Sequence, residues 1–246
     1  MAVTDRTPLT DDALAALLAA GADVEDADLA GRDLTELLEA PGPAPRVFRR
    51  CDLTEARLTR AALIGATFES CAMDAASFGR ADLDGSVWTG GAAPKADFSR
   101  ADLSDARFDG VDLANTSWRD TLIAGTAFTG CRMVGARFDE SRGLGATFRR
   151  CNLMLAGLSG ISLRGQQLDG LRMDDAALAG ADLRDTVWTD SRLRGVVLRG
   201  AELDGADLRG ADLGDFSWQE AHLLSGATIS AEQASNLLGQ LGIVVD

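Results

Sequence analysis

A five-residue period runs through most of this chain and constrains its fold more than any other feature. From Phe48 to Leu223, every fifth residue is Leu, Phe, Met, Ile or Trp at 34 of 36 positions, the exceptions being Ala93 and Gly143. The residue two places before each of these centres is short in 31 of the 36 repeats. A period of five fits neither a helix nor a strand, so it indicates one short unit repeated many times.

The best copies of the unit identify the kind of repeat. Residues 81–85 read ADLDG, residues 101–105 read ADLSD and residues 206–210 read ADLRG. This A(D/N)LXX pattern resembles the pentapeptide-repeat family over residues 46–225. The resemblance implies an all-β solenoid: a right-handed quadrilateral parallel β-helix with four repeats per coil, carrying short N- and C-terminal α-helical caps.

Aromatic residues provide a test of four repeats per coil, because residues twenty apart must then stack. Twelve of the thirteen aromatics fall in two opposing columns of centres, which we expect to fill the interior beside the short residues. One column holds Phe48, Phe68, Trp88, Phe108, Phe128, Phe148 and Trp188, and the other holds Phe78, Phe98, Trp118, Phe138 and Trp218.

The four cysteines follow the same spacing. Cys51 and Cys71 are predicted to stack one coil apart, as are Cys131 and Cys151, all in the interior column of short residues. The two pairs lie too far apart to share one zinc ion, and neighbours in a ladder suit a disulfide poorly. Buried thiols in a reducing cytoplasm are therefore expected.

The N-terminal region, residues 1–45, is predicted to close one end of the solenoid. Thr10 is a suitable N-cap for a helix that Gly21 ends. Val24, Leu29 and Leu34 show the five-residue spacing in a shifted frame, which indicates a partial first coil. A proline-rich loop over residues 41–45 then resets the frame.

Residues 226–246 are predicted to form a C-terminal helix, with Ser230 and Gln233 as its capping box. Two interpretations of its apolar side remain open: an end plug, or a two-fold dimer contact. Relatives in the quinolone-resistance branch pair through a C-terminal helix, so the resemblance implies a homodimer. The candidate contact residues are Ala234, Leu237, Leu238, Leu241, Ile243 and Val245.

The net charge of −14 is unevenly distributed. Residues 1–45 carry −8, whereas residues 46–225 carry only −4. Of the four faces of the repeat region, the one that contains Leu63, Leu83 and Leu103 is the most acidic, at −5. Its candidate partner-binding residues are Asp82, Asp84, Asp102, Asp105, Asp182, Asp185, Glu202 and Asp204.

Catalytic chemistry finds little support in the sequence. The single histidine, His222, has no nucleophile–base arrangement around it, and the aspartates belong to the repeat itself. We expect no enzyme activity, no cofactor, no metal and no direct nucleic-acid binding. With neither a long apolar run nor a signal peptide, a cytoplasmic location without membrane contact is predicted.

Two functions fit these features. The resemblance to the mycobacterial and Qnr-like proteins of the quinolone-resistance branch implies a DNA mimic that binds DNA gyrase or topoisomerase IV and modulates or protects it. The alternative is a general protein–protein interaction scaffold without a topoisomerase role, in which the acidic N-terminal region docks a basic partner.

Overall fold

Residues twenty apart in the sequence are neighbours in the fold. In the structure, a computed structural model that describes residues 7–244, Phe68 pairs in parallel with Phe48 on one side and with Trp88 on the other. The strands are β1 (Thr7–Pro8), β2 (Val24–Glu25), β3 (Ala27–Asp28), β4 (Val47–Arg49), β5 (Thr67–Glu69), β6 (Val87–Thr89), β7 (Arg107–Asp109), β8 (Ala127–Thr129), β9 (Thr147–Arg149), β10 (Gln167–Asp169), β11 (Val187–Thr189), β12 (Ser191–Arg192) and β13 (Ala211–Asp212).

Nine of these strands form one wall, in the order β11-β10-β9-β8-β7-β6-β5-β4-β2. The other walls are joined by single parallel bridges, such as that between Asp82 and Asp102, again twenty residues apart. The chain is therefore the predicted four-sided parallel β-helix, with about nine turns.

The interior is filled by the two predicted aromatic columns. Phe68 and Trp88 stack with ring centroids 4.1 Å apart, and Trp88 meets Phe98 of the opposite column edge-on at 5.7 Å. Both arrangements are favourable for aromatic pairs. Leu168 takes the place of an aromatic in the first column and is fully buried.

Each buried tryptophan has a hydroxyl partner two residues before it. The indole N–H of Trp88 donates to Ser86, that of Trp118 to Thr116 and that of Trp188 to Thr186, at 2.8–2.9 Å. A buried N–H without a hydrogen-bond partner is costly, so a hydroxyl residue is favoured at the short inward-pointing position two before a buried tryptophan.

The N-terminal segment adds a first coil to the β-helix. Helix α1 (Asp11–Ala19) begins after Thr10, whose side chain accepts a hydrogen bond from the Ala13 N–H. A four-residue helix, α2 (Thr35–Leu38), follows β3. Val24 pairs with Phe48, so this coil is longer than the others. Its buried residues are Leu14, Leu18, Val24, Ala27, Leu29, Leu34 and Leu38.

The β-helix ends earlier than the five-residue period predicts. A 3-10 helix (Trp218–Leu224) replaces the last two repeats, and Trp218 is 45% exposed, outside the aromatic column where it was expected. Phe216 occupies the position two before Trp218, where each buried tryptophan has a hydroxyl residue that accepts from its indole N–H, so an inward-pointing Trp218 would lack this partner.

The chain rejoins the solenoid once before its last helix. Thr228 pairs with Asp207, twenty-one residues away, so the frame is shifted by one. Helix α3 (Ala231–Gly239) follows, with the predicted capping box between Ser230 and Gln233. Among residues 7–244, no helix is long and apolar enough to cross a membrane.

Candidate partner-binding surface

Four of the predicted acidic residues, Asp82, Asp84, Asp102 and Asp105, lie together on two adjacent coils; we call them the acidic cluster. Asp82 and Asp102 are bridge partners, and the Asp102 carboxylate accepts hydrogen bonds from the backbone N–H and hydroxyl of Ser104. Asp105 sits at a corner with φ +55°, beneath the α-carbon of Gly125 in the next coil. The repeat therefore fixes the carboxylates close together.

No positive charge neutralises the acidic cluster. Within residues 7–244, no arginine or lysine lies within ion-pairing distance of its four carboxylates. Partial desolvation and repulsion by the three neighbouring carboxylates raise the pKa of Asp84 above its usual value. The described residues also contain no group of three or more side chains placed to hold a metal ion. The cluster therefore stores electrostatic repulsion that a positively charged partner would relieve.

Three of the four acids in the other half of the predicted acidic face are ion-paired. Arg184 bridges Asp182 and Glu202 at 2.9 and 3.0 Å, and it lowers the pKa of Asp182. Arg164 pairs with Asp185 at 3.2 Å. Asp204, exposed, lies beneath Gly226. The eight predicted residues thus form one unpaired cluster and one paired cluster.

The two acidic groups are also separated in space. The wall that carries them is interrupted between Arg142 and Ser162, which are not bridge partners in the described part of the chain, whereas Leu122 pairs with Arg142. Leu144, 75% exposed, lies in this gap. The acidic residues therefore do not form a continuous strip along the rod.

The C-terminal candidate residues lie at the exposed end of the solenoid. Helix α3 has no fully buried residue: Ala234, Leu237 and Leu238 are half-buried, while Leu241 and Ile243 are 47% and 49% exposed. Val245 lies outside the described residues. Two residues that the sequence argument missed, Trp218 and Val244, extend the exposed apolar surface. The sequence signal for Trp218 was the bulky Phe216 before it, in place of a hydroxyl residue.

Side-chain amides fasten α3 to the rod. The Gln233 amide donates to the carbonyls of Leu208 and Ala211 at 2.9 and 2.7 Å, while its oxygen accepts from the Ser230 N–H. Gln240 donates to the Phe216 carbonyl at 2.9 Å. These polar contacts and the packing of Leu237 against the core hold the helix, and its apolar side chains are only partly covered.

The cysteines behave as buried thiols. The Cys71 thiol donates to the Phe48 carbonyl at 3.3 Å, and the Cys151 thiol to that of Phe128 at 3.5 Å. Hydrogen bonding to Cys51 and burial raise the pKa of Cys71, and Cys151 and burial act in the same way on Cys131. The raised pKa keeps the Cys71 and Cys131 thiols protonated near neutral pH.

Two family models match parts of the repeat region of this chain. A model described as pentapeptide repeat region matches residues 47–118, and one described as pentapeptide repeats, eight copies, matches residues 176–215. Both matches are to the same repeat, so the chain is similar to the pentapeptide-repeat family in two separate parts of the β-helix. No curated protein matches it in sequence.

Solved structures of QnrB1, described as a plasmid-mediated fluoroquinolone resistance protein, are similar to this pentapeptide-repeat chain. One trypsin-treated variant is 26% identical with a TM-score of 0.74, covering 81% of this chain and 99% of QnrB1. A second is 26% identical with a TM-score of 0.70, covering 79% and 97%. Full-length QnrB1, 21% identical over 90% of this chain and 99% of its own, has a TM-score of 0.55 and supports the fold alone.

Proposed function

We propose that this protein is a non-enzymatic binding protein that uses the acidic cluster to bind a bacterial type II topoisomerase, DNA gyrase or topoisomerase IV, and modulates it or protects it from quinolones. The observation that carries the proposal is the group of four unpaired carboxylates on a rod similar to a fluoroquinolone resistance protein. Such a partner offers a positively charged surface that normally holds DNA.

The charge density of the cluster suits this role locally. Four carboxylates on two coils of about 4.8 Å each amount to one charge per roughly 2.4 Å of rod. Duplex DNA carries one charge per about 1.7 Å. The mimicry is confined to these two coils, because ion pairs neutralise the paired half of the face.

A supercoiling assay with gyrase and a fluoroquinolone tests the proposal. The wild-type protein is expected either to restore supercoiling in the presence of the drug or to inhibit the enzyme. Replacing the four cluster aspartates by asparagine keeps their size and hydrogen-bond acceptors but removes the charge. We expect this variant to need about tenfold more protein, or more, for the same effect.

The matched control removes four charges from the same face. Asp182→Asn, Asp185→Asn, Glu202→Gln and Asp204→Asn together change the net charge equally, but three of these groups are already ion-paired. The control is expected to change the effect much less. Absence of any wild-type effect at tens of micromolar, or equal losses in both variants, contradicts the proposal.

A general interaction scaffold remains the second candidate function, and the ion pairs of the N-terminal region bear on it. Arg49 pairs with Glu25 at 2.7 Å and Arg50 with Asp26 at 2.7 Å, so part of that region's negative charge is already neutralised. Deleting residues 1–45 would also uncover the core. Substituting exposed acids such as Asp12 and Glu39 by amides is the cleaner test: loss of partner binding favours N-terminal docking.

We further propose that α3 mediates a homodimer. Its half-buried and exposed apolar residues, together with Trp218, form an apolar surface at one end of the rod. Surfaces of this kind commonly mark protein contacts.

A further inference from the structure

A second charged surface, of opposite sign, lies on another wall of the same coils. Arg60, Arg80 and Arg100 occupy the same corner of three successive coils and are exposed; we call them the arginine ladder. Their backbone N–H groups donate to Gly79, Ser99 and Arg119 of the next coil at 2.9–3.0 Å. The side chains therefore leave the rod one coil apart, about 4.8 Å along its axis.

The arginine ladder lines an open groove of about 1080 Å³. Arg57 and Arg119 also contribute to it, and the hydroxyl residues Thr59, Ser77 and Ser99 form its floor. Half-buried Leu37 closes one end. The groove also contains the carboxylates of Asp11, Asp33, Glu36 and Asp97.

The local acids leave most of the ladder unpaired. Asp33 pairs with Arg57 at 2.9 Å, and Asp97 accepts hydrogen bonds from Ser99. Among the described residues, no carboxylate lies within ion-pairing distance of Arg60 or Arg80, and Arg100 reaches Asp120 only at 3.8 Å. Like charges stacked on neighbouring coils repel one another, which costs stability in the absence of a ligand.

The backbone at these positions adds a second cost. All three arginines have φ between +60° and +63°, a region that glycine adopts freely and other residues avoid. The column continues with Asp120 and Glu140, also at positive φ, and then with Gly160, Gly180 and Gly200, so the fold accepts glycine there. Positive φ occurs at 18 non-glycine residues of the described chain, so it belongs to the repeat, and the ladder is distinguished by three like charges stacked at this corner.

We propose that the groove binds an acidic α-helix of a partner protein, with carboxylates at i, i+3 or i+4, and i+7 facing the arginine ladder. The ladder spans two coil steps, about 9.6 Å, and seven helical residues rise about 10.5 Å. A helix is about 10–12 Å in diameter, which suits an open groove. Leu37 provides an apolar contact at the end of the helix.

Nucleic acid fits this groove less well. The closely spaced phosphates of a nucleic acid would meet the four carboxylates of the groove as well as its arginines, whereas three spaced glutamates on one helix face can meet the arginine ladder alone. No aromatic side chain lines the groove to stack on a base. The surface is separate from the acidic cluster, and the inference does not depend on topoisomerase binding.

Fluorescence anisotropy with two synthetic peptides tests the inference. Both are alanine-based helices of about 20 residues. In the first, glutamates occupy i, i+4 and i+7 on one face; in the second, the same glutamates are spread around the helix. The full-length protein is expected to bind the first peptide more tightly. Equal binding of both overturns the proposal, as does preferential binding of inorganic polyphosphate with no peptide binding.

Two triple variants locate the binding site. Arg60→Gln, Arg80→Gln and Arg100→Gln together are expected to weaken binding of the first peptide about tenfold. The control, Arg150→Gln, Arg172→Gln and Arg199→Gln, removes equal charge from exposed arginines outside the groove and is expected to bind as the wild type does. Equal losses in both variants indicate general electrostatics and contradict a groove site.

A glycine variant separates binding from stability. Replacing the three ladder arginines by glycine is expected to raise the melting temperature, since strain and repulsion are both relieved, while peptide binding is lost. A lower melting temperature means that the arginines stabilise the fold, and it overturns the argument from strain.

Discussion

At the residue scale, the corner position of each repeat is the most sensitive to sequence. Gly85 and Gly125 occupy the same corner two coils apart, with φ +63° and +67°. A Cβ on Gly85 meets no atom within 4 Å, whereas one on Gly125 would lie 2.4 Å from the Asp105 carboxylate. Substitution of these two glycines therefore distinguishes the free-energy cost of placing a side chain at positive φ from the cost of a steric clash.

Alanine substitutions at these glycines measure the two costs. Gly85→Ala is expected to lower the free energy of unfolding by about 1 kcal/mol, from φ alone. Gly125→Ala is expected to cost about 1 kcal/mol more, because Asp105 must leave its rotamer. Denaturant unfolding measures both. The Gly125→Ala, Asp105→Ala double variant should return to the cost of Gly85→Ala; if it does not, the clash is not the cause.

The acidic cluster predicts a pH dependence of stability. Because the pKa of Asp84 is raised in the folded state, its ionisation opposes folding, and stability is lost as the pH rises through that pKa. Asp84→Asn is therefore expected to melt at a higher temperature than the wild type at pH 7. The difference should vanish as the pH falls to the usual aspartate pKa of 3.8 and below.

Asp207 provides the control of opposite sign. Its hydrogen bond to Arg209 lowers its pKa to about 2, so its ionised form stabilises the fold. Asp207→Asn is expected to melt below the wild type at pH 7, with the difference shrinking as the pH falls from about 4 to 2. Thermal melts across pH measure both variants; the same sign of change in both excludes this electrostatic account.

At the element scale, the regular part of the fold was predictable because two constraints coincide. A large residue and a short residue alternate in a narrow interior, and that alternation marks most of the buried positions from Phe48 to Leu213. The helix boundaries were predictable from their caps, Thr10 and Ser230. The period also marked Trp218 and Leu223 as centres, because large apolar residues keep the five-residue spacing into the 3-10 helix.

The candidate surface was less predictable than the fold. Repeat positions place Asp182 and Asp82 on the same wall, but pairing depends on whether an arginine follows two residues later. Arg184 follows Asp182 and bonds it, while Asp84 follows Asp82 and repels it. The net charge of a face hides this difference, because an acid and an arginine add to zero whether they form an ion pair or lie far apart.

The attachment of α3 leads to a prediction about one side chain. Gln233→Glu retains an oxygen that accepts from the Ser230 N–H, so the capping box remains, but it cannot donate to the Leu208 and Ala211 carbonyls. We expect faster hydrogen exchange throughout α3 with little change in the rod. Ser230→Ala, which removes only the cap and costs about 1 kcal/mol, is the comparison. Slower or unchanged exchange in Gln233→Glu shows that apolar contacts hold the helix.

At the scale of the whole molecule, the charges and apolar surface lie at different positions along the rod. The acidic cluster and the arginine ladder both lie toward the N-terminal end, on coils from residue 60 to 105. The uncovered apolar residues of α3 lie at the C-terminal end. A two-fold contact through α3 would therefore leave both charged surfaces accessible and place one copy of each toward either end of a longer rod.

Light scattering tests this assembly. The wild type is expected at twice the 25.8 kDa chain mass at micromolar concentration. Leu238→Glu with Leu241→Glu should give the chain mass, since charge at an apolar contact opposes association. Ile64→Glu with Leu144→Glu alters equally apolar, exposed side chains on the rod and should remain dimeric. A wild-type protein that stays at the chain mass at tens of micromolar is a monomer, and α3 then serves only to close the end of the solenoid.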